Sequence, residues 1–527
     1  MAFEGQLRPF QEEAVSKLLS WGGRGLLAMI MGAGKTPTSI ALLEQLLDEE
    51  EVESGLIVTP PGIKRQWVKA LEKFAPGSNV VLIHGTPKER HAAYERARGW
   101  AEYTILGYPQ LLDDWEFVRG MPRDFVVADE VQAIKNFRAK RSKKLKQLGG
   151  DIRIGLSGQP LENRPEDVFS IMEWIDPEVL GRFDIFDRTF VVRNSWGRPL
   201  RYRNLPRLKE VLEREAMVRY SRDDIKDQLP AKTEETYVID FDRPGASLYK
   251  IITRDLVDAL DAVIEAGGGK SFDLHAHYRG EGESEMELAL RGKVMARLTC
   301  LRMLCDHPDL LRVSADAYQR SQSQELSGSL KTGSAYAAEL AGRGLLDKKY
   351  GTPKMNETVE LLKELLDADP RNKIAVFSFF KPVLTWLQEA IPEVGSVLYT
   401  GDVKEREKQA AVDAFNTDPR VRIFFSSDAG GAGVDLPAGN YHINYNLPFS
   451  AGQLEQRNAR LDRIASTHEK LLVISHLMAN SVEEYYYSIL LRRRTLSQAA
   501  IDGKRVKKGS VSMDLGSLKS FLMEKVV

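Results

Sequence analysis

The sequence predicts an α/β protein made of two parallel-sheet lobes with helical insertions. Three observations lead there. Short apolar runs alternate with amphipathic stretches early in the chain. The same alternation returns near the end, and the zone between reads as mostly helical. Strand–helix alternation is the pattern of a parallel sheet whose crossovers are helices.

In the first lobe, strands are expected at Gly25–Met29, Leu56–Thr59, Val80–Ile83, Thr104–Leu106, Phe125–Ala128 and Ile154–Ser157. Each is short and largely apolar, as a strand covered on both faces must be. The amphipathic stretches Thr38–Glu50 and Ile63–Phe74 supply crossover helices. From about Pro165 to Leu366 helical patterns dominate, with exposed loops expected at Gly267–Lys270 and Gln324–Gly333 and an interlobe connection around Asp224–Thr236. Second-lobe strands are expected at Lys373–Phe379, Val397–Tyr399, Arg422–Ser426, His442–Tyr445 and Leu471–Ser475, with a helix at Glu405–Asn416. The expected division is a first lobe with its helical insertion over 1–235, a helical insertion of the second lobe over 236–350, the second lobe over 351–490 and a basic helical tail over 491–527.

Composition narrows the function classes. Of 527 residues, 28% are charged and 43% apolar, which allows a large core and excludes a disordered chain. Lys+Arg is 74 against 75 Asp+Glu, so basic residues can act only as local patches. Cys300 and Cys305 are the only cysteines, too few for a disulfide scaffold or a four-cysteine zinc site. No apolar run approaches the ~20 residues that span a bilayer, and Met1–Phe10 lacks the basic-then-apolar order of a signal peptide. A monomeric cytoplasmic protein with no membrane partner is expected.

Three clusters carry chemistry. The first is the run from the strand Gly25–Met29 through Met31, Gly32, Ala33, Gly34, Lys35 and Thr36 into a helix. A strand, a glycine-containing loop and a helix N-terminus present backbone N–H groups and a positive dipole end to an anion. Lys35 can neutralise β- and γ-phosphates, and Thr36 can ligate Mg²⁺. The first glycine of the full phosphate-loop pattern is Met29 here, so the signal is GxGKT. The plain alternative is a glycine-rich turn with a surface lysine. The second cluster is Asp129–Glu130 at the end of Phe125–Ala128. Asp129 can hold Mg²⁺ and Glu130 can deprotonate an attacking water, although acids at a helix start need no such role. The third is Arg460 and Arg463, three residues apart and on one side of an expected helix. Two guanidiniums suit a γ-phosphate gaining charge; a solvated basic helix face is the alternative.

Together, in order and spacing, these segments resemble the Swi/Snf-type branch of helicase superfamily two. Leu7–Gln11 resembles its LRPYQ element, whose glutamine reads adenine, which implies that role for Gln11. Met31–Thr36 resembles MGLGKT, and Leu56–Pro60 with Gln66–Trp67 resembles motif Ia; Tyr108 falls where the motif Ib tyrosine is expected. Asp129–Gln132 with Ile134–Asn136 resembles DEAH followed by IKN, and Leu156–Leu161 with Asn163 resembles LTGTPLxN. Leu304–Pro308 resembles the CxHP element, which gives Cys305 and His307 a structural reading. Phe425–Leu436 resembles motif V, which implies nucleotide-site roles for Gly433 and Asp435, and Gln456–Arg463 resembles motif VI. Met29–Ile30, Gln159, Asp435, Ala459 and Ile464–Ser466 depart from the family pattern.

The resemblance implies two RecA-like lobes, ATP and Mg²⁺ in the cleft, and double-stranded DNA bound without sequence specificity across both. It implies an ATP-dependent translocase on duplex DNA that can displace or remodel a DNA-bound protein. A strand-separating or annealing helicase and a low-turnover ATP-dependent DNA-binding switch are the alternatives. Basic residues that could meet phosphates cluster at Lys135, Arg138, Lys140, Arg141, Lys143, Lys144 and Lys146, at Arg492–Arg494 and at Lys504–Lys508. Solvated helix faces would look the same. No base-reading or histone-reading module is evident, which points to a minimal motor of prokaryotic or viral source.

Overall fold

The computed structural model describes residues 3–158, 165–193, 199–265, 285–323, 333–403, 405–428, 434–448, 450–464, 466–501 and 515–525. The first lobe is built on strands β1 (Arg24–Met29), β2 (Gly55–Thr59), β3 (Val80–Leu82), β4 (Tyr103–Gly107), β5 (Phe125–Asp129) and β6 (Ile152–Leu156). A small antiparallel ribbon follows, β7 (Val191–Arg193) with β8 (Pro199–Tyr202). The strand β9 (Met217–Tyr220) then returns to the main sheet. Among the described residues that sheet runs β3-β4-β2-β5-β6-β1-β9, and all its pairings are parallel.

Apolar residues cover both faces. Leu56 and Val58 point into one cluster, and Ile57 into the other. Side chains alternate across a strand, so a two-sided core demands the unbroken apolar runs of β2 and β5. Fully burying each such side chain contributes roughly 1.5–3 kcal/mol.

The second lobe uses β10 (Ala231–Ile239), β11 (Ile374–Ser378), β12 (Gly395–Tyr399), β13 (Val421–Ser427), β14 (Tyr441–Asn444) and β15 (Lys470–Met478). Their order is β10-β15-β14-β11-β13-β12, again parallel. The expected lobe boundary at 235 falls inside β10. The chain has already joined the second sheet by Ala231, which pairs with Lys470. The connection is therefore shorter than Asp224–Thr236. It consists of a 3-10 helix, Asp223–Gln228, and the Leu229–Pro230 step.

The helical zone forms its own core. Helices Arg243–Glu265 and Glu285–Asp306 pack with Asp309–Ser323, Ala335–Gly342 and two late helices, Val482–Ile501 and Leu515–Lys525. A buried ion triad pins this layer to the second lobe. Lys354 Nζ donates to Asp306 at 3.0 Å and to both Glu483 oxygens at 2.6 and 2.8 Å. All three side chains are essentially buried. Tyr445 and Asn446, just past β14, bond to the backbone and the carboxylate of Asp306. No helix among the described residues is long and apolar enough to cross a membrane.

Candidate active site

The sheet order decides where the site forms. β1, β5 and β6 are neighbours, so the loops leaving their C-terminal ends converge, the usual ligand position of an open parallel sheet. Lys35 leaves the loop after β1, Asp129 ends β5 and Ser157 follows β6.

The helix Lys35–Asp48 starts immediately after Gly34, which adopts φ 84°. Gly32 has φ 80°. Only glycine takes these values without strain, and together they fold the loop over the helix N-terminus. Lys35 Nζ donates back to the carbonyls of Met29 at 3.2 Å and Ile30 at 3.5 Å. Desolvation holds this ammonium below the ordinary lysine range, while Glu130 and Asp129 pull the other way. Thr36 is the next residue of the helix. Met31 lies against Gly158, and Ala33 is fully buried.

Asp129 is 6% exposed. It accepts from Trp67 Nε1 at 2.9 Å and from the Glu130 amide at 2.9 Å. Burial and the neighbouring charge of Glu130 push its carboxyl up to about 6. Tyr108 OH donates to the Asp129 carbonyl at 2.9 Å. Glu130 sits in the left-handed region, φ 49°, which is costly for a side-chain-bearing residue. Gln132 donates to Glu130, and Ser157 Oγ donates to Gln132 at 2.8 Å.

These contacts yield a pH test. The Asp129 pKa is raised above its ordinary 3.8, so its charged form costs stability. The added stability of the protonated form is complete below about pH 4 and disappears as pH rises through about 6. Asp129→Asn, which cannot ionise, should remove that slope. Melting temperatures of both proteins between pH 4 and 8 provide the check.

The second lobe supplies the opposing wall. The helix Ala451–Asn458 ends before the two arginines, so they do not share a helix face as the spacing suggested. Arg457 anchors the helix end, with Nε and Nη2 on Asp428 at 2.5 and 2.7 Å and Nη1 on the Asn446 carbonyl at 2.6 Å. Leaving the helix there lets Leu461 bury completely and carries Arg463 to the phosphate loop. Arg460 is 9% exposed, donates to the Val434 carbonyl at 3.3 Å, and is lowered to about 10 by burial and by Arg463. Arg463 Nη2 pairs with Asp435 at 2.5 Å.

The lobes touch at the loop itself. A Cβ on Gly32 would lie 2.5 Å from the Asp462 carbonyl and 2.7 Å from Arg463 Cδ. The Ile464 amide donates to the Gly32 carbonyl at 3.4 Å. Arg222, in the interlobe connection, bonds both Asp462 and the Pro230 carbonyl. Lys35, Asp129 and Glu130 thus face Arg460 and Arg463 across one narrow cleft.

Gln11 lies against the phosphate loop. Its Nε2 donates to the Ala33 carbonyl at 3.0 Å and its Oε1 accepts from the Arg8 amide at 2.9 Å. It therefore braces the loop from behind. Gly433, Gln159 and Asn163 lie outside the described residues. Of the expected basic patches, Arg138, Lys140, Arg141 and Lys143 are exposed. Lys146 bonds Glu173 and Ser170, Lys144 covers the Trp115 ring, and Arg494 is held by Glu234 and Glu455. Lys504–Lys508 lie outside the described residues. Sequence reasoning did not give Trp67 its contact with Asp129, nor Gln132 or Arg222 any role. The tryptophan was visible only through the QW resemblance.

A family model described as SNF2-related domain matches residues 10–310, and one described as Helicase conserved C-terminal domain matches residues 357–465. The chain belongs to the SNF2-related family. Members of this family with similar sequences include a putative ATP-dependent helicase/translocase, YwqA, of Bacillus subtilis (strain 168). It is 24% identical over 514 residues, covering 95% of this chain and 50% of that protein. The DNA repair and recombination protein RAD54B of Mus musculus is 24% identical, covering 94% of this chain and 56% of that protein. This SNF2-related chain therefore spans about half the length of these curated relatives. Its two-lobed α/β fold is also that of the Pyrococcus furiosus Hef helicase domain, at TM-score 0.51 and 17% identity over 92% of this chain and 98% of that one. The SNF2-related match and the helicase C-terminal match follow one another along the chain, the second falling on the second lobe.

Proposed function

We propose that the chain hydrolyses ATP between its lobes and uses the cycle to translocate along duplex DNA, without reading sequence and with the capacity to displace bound proteins. The observation that carries this reading is the juxtaposition of Lys35, Asp129 and Glu130 with Arg460 and Arg463 across Gly32. The relatives' names, an ATP-dependent helicase/translocase and a DNA repair and recombination protein, support the DNA side. So do the exposed Arg138, Lys140, Arg141 and Lys143.

The residues fit Mg²⁺ and a triphosphate. Among the described residues Lys35 Nζ donates to the Met29 and Ile30 carbonyls, a position a phosphate would take over. Asp129, raised by burial, gains from a nearby cation, and Arg463 Nε is buried without a partner. Thr36 and Asp129 would hold Mg²⁺, which supplies charge neutralisation for the phosphates. Lys35 and the loop amides bind and orient the phosphate chain. Glu130, held by Gln132 and Ser157, takes the proton from the attacking water. Arg460 and Arg463 stabilise the charge that develops as the bond breaks. Because they belong to the other lobe, hydrolysis depends on lobe position, and lobe position on the nucleotide.

The test is steady-state ATPase activity with no nucleic acid, duplex DNA, single-stranded DNA and RNA. Strong stimulation by duplex DNA, lost in Lys35→Ala, supports the translocase; a triplex-displacement assay then reads movement directly. Stimulation by single strands alone would replace it with the helicase reading. Nucleotide and DNA binding without turnover would replace it with a switch.

A further inference from the structure

We propose that Asp435 clasps Arg463 beside the phosphate loop as an autoinhibitory contact, which the terminal phosphate of a nucleoside triphosphate opens and a diphosphate does not. This deepens, and rests on, the nucleotide reading of the site given above.

Three observations converge. Arg463 Nη2 and Asp435 Oδ1 are 2.5 Å apart, and the arginine stem runs directly over Gly32. The guanidinium is therefore held at the lip of the loop where phosphates would lie. Next, the guanidinium is only partly used: Nε is buried and has no hydrogen-bond partner among the described residues. A guanidinium offers five donors in a planar fork suited equally to a carboxylate or a phosphate, so Asp435 occupies a position that an incoming anion competes for. Finally, Asp435 adds negative charge next to Lys35, whose electrostatic surroundings already include Asp129, Glu130 and Asp435. A phosphate arriving there meets three carboxylates, and the third belongs to the opposite lobe.

Exposure decides which partner moves. The Arg463 side chain is 17% exposed and that of Asp435 is 56% exposed. The Asp435 backbone is fixed, because its carbonyl accepts from Asn416 at 3.1 Å and the next amide donates to the Arg460 carbonyl at 2.9 Å. A rotation of the Asp435 side chain into solvent therefore frees Arg463 without rearranging the loop. Arg460 is tethered to the same segment through the Val434 carbonyl. Residues 434 and 435 thus hold both arginines, one by a carbonyl and one by a charge that can be displaced.

The experiment compares Asp435→Asn and Asp435→Ala with wild type, alone and combined with Arg463→Ala. The probes are adenylyl imidodiphosphate and ADP, measured by equilibrium binding in Mg²⁺ buffer, together with ATP turnover in the absence of DNA. Removing a partly exposed ion pair should tighten the triphosphate analogue by about threefold. ADP affinity should stay unchanged, and DNA-independent turnover should rise. The gain should vanish in the Arg463→Ala background, because the clasp no longer has its second half. Equal weakening of both nucleotides by Asp435→Asn would overturn the clasp and make Asp435 a nucleotide ligand. A gain that persists without Arg463 would overturn it in favour of a general charge effect. Wild-type protein that binds the analogue but hydrolyses nothing with any nucleic acid removes the translocase reading while the clasp stands. Normal wild-type turnover with unchanged analogue affinity in both Asp435 variants removes the clasp alone. Failure of either nucleotide to bind wild type removes both.

Discussion

Glu130→Gln should lower ATP turnover by about 10²–10⁴-fold, the range supplied by a positioned general base. The substitution keeps the side chain's length and its ability to accept the hydrogen bond from Gln132, which itself is fixed by Ser157. It deletes the basic carboxylate. Nucleotide affinity should remain close to wild type, because Lys35 and the loop amides are untouched. The strained backbone at Glu130 sharpens the expectation, since a left-handed residue at a strand end is maintained only where its surroundings over-determine it. Gln132→Ala should fall between the two, leaving the base present but free to wander. Single-turnover hydrolysis with saturating duplex DNA separates the three proteins. A Glu130→Gln protein that turns over like wild type would remove Glu130 from the reaction.

Lys354→Met should destabilise the second lobe and its helical layer by roughly 3–5 kcal/mol, the cost of stranding buried charge. Lys354 is the only cation bonded to Asp306 and Glu483 within the buried triad, and both carboxylates are themselves nearly inaccessible. Burial, with the neighbouring Asp306 carboxylate, raises Glu483, and the Lys354 ammonium pulls the other way. Without the lysine, two carboxylates share a dry pocket and at least one must take a proton. Glu483→Gln added to Lys354→Met should recover part of the loss, because one uncompensated charge then remains. Denaturant unfolding followed by the fluorescence of Trp386, which packs against His307 in this region, reports the change. Equal stability of Lys354→Met and wild type would show that the triad contributes nothing net.

The strands that sequence patterning finds are the unbroken apolar runs, the edge strands β3 and β12 among them. β2 and β5 are unbroken apolar runs because crossover helices cover them above and below. β10 escapes because Lys232, Glu234 and Glu235 interrupt its apolar pattern. β9 escapes for a related reason: Arg219 and Tyr220 break the apolar run at the sheet's rim.

In the candidate site, the residues proposed to meet phosphate or metal were readable from local order, since each cluster, loop with helix start and strand end with its acidic pair, is contiguous in sequence. Their supports were not. Trp67 meets Asp129, Ser157 meets Gln132 and Arg222 meets Asp462 over separations of 62, 25 and 240 residues, which only the folded chain brings together. Helical spacing misplaced Arg460 and Arg463, because the helix stops at Asn458 so that the chain can reach the other lobe.

Gly32 has a mechanical meaning beyond the shape of its loop. The missing side chain is the clearance of a bearing: with the Asp462 carbonyl and Arg463 stem seated where a methyl group would be, the two lobes meet with no slack. If a nucleotide binds here as proposed, a displacement of the loop should appear as relative motion of the lobes rather than being absorbed in a loose joint. Even one carbon at this position would act as a spacer, setting a new minimum gap and lengthening the reach that Arg463 has to cover. The spacing of the lobes at this point is thus set by an atom that is absent.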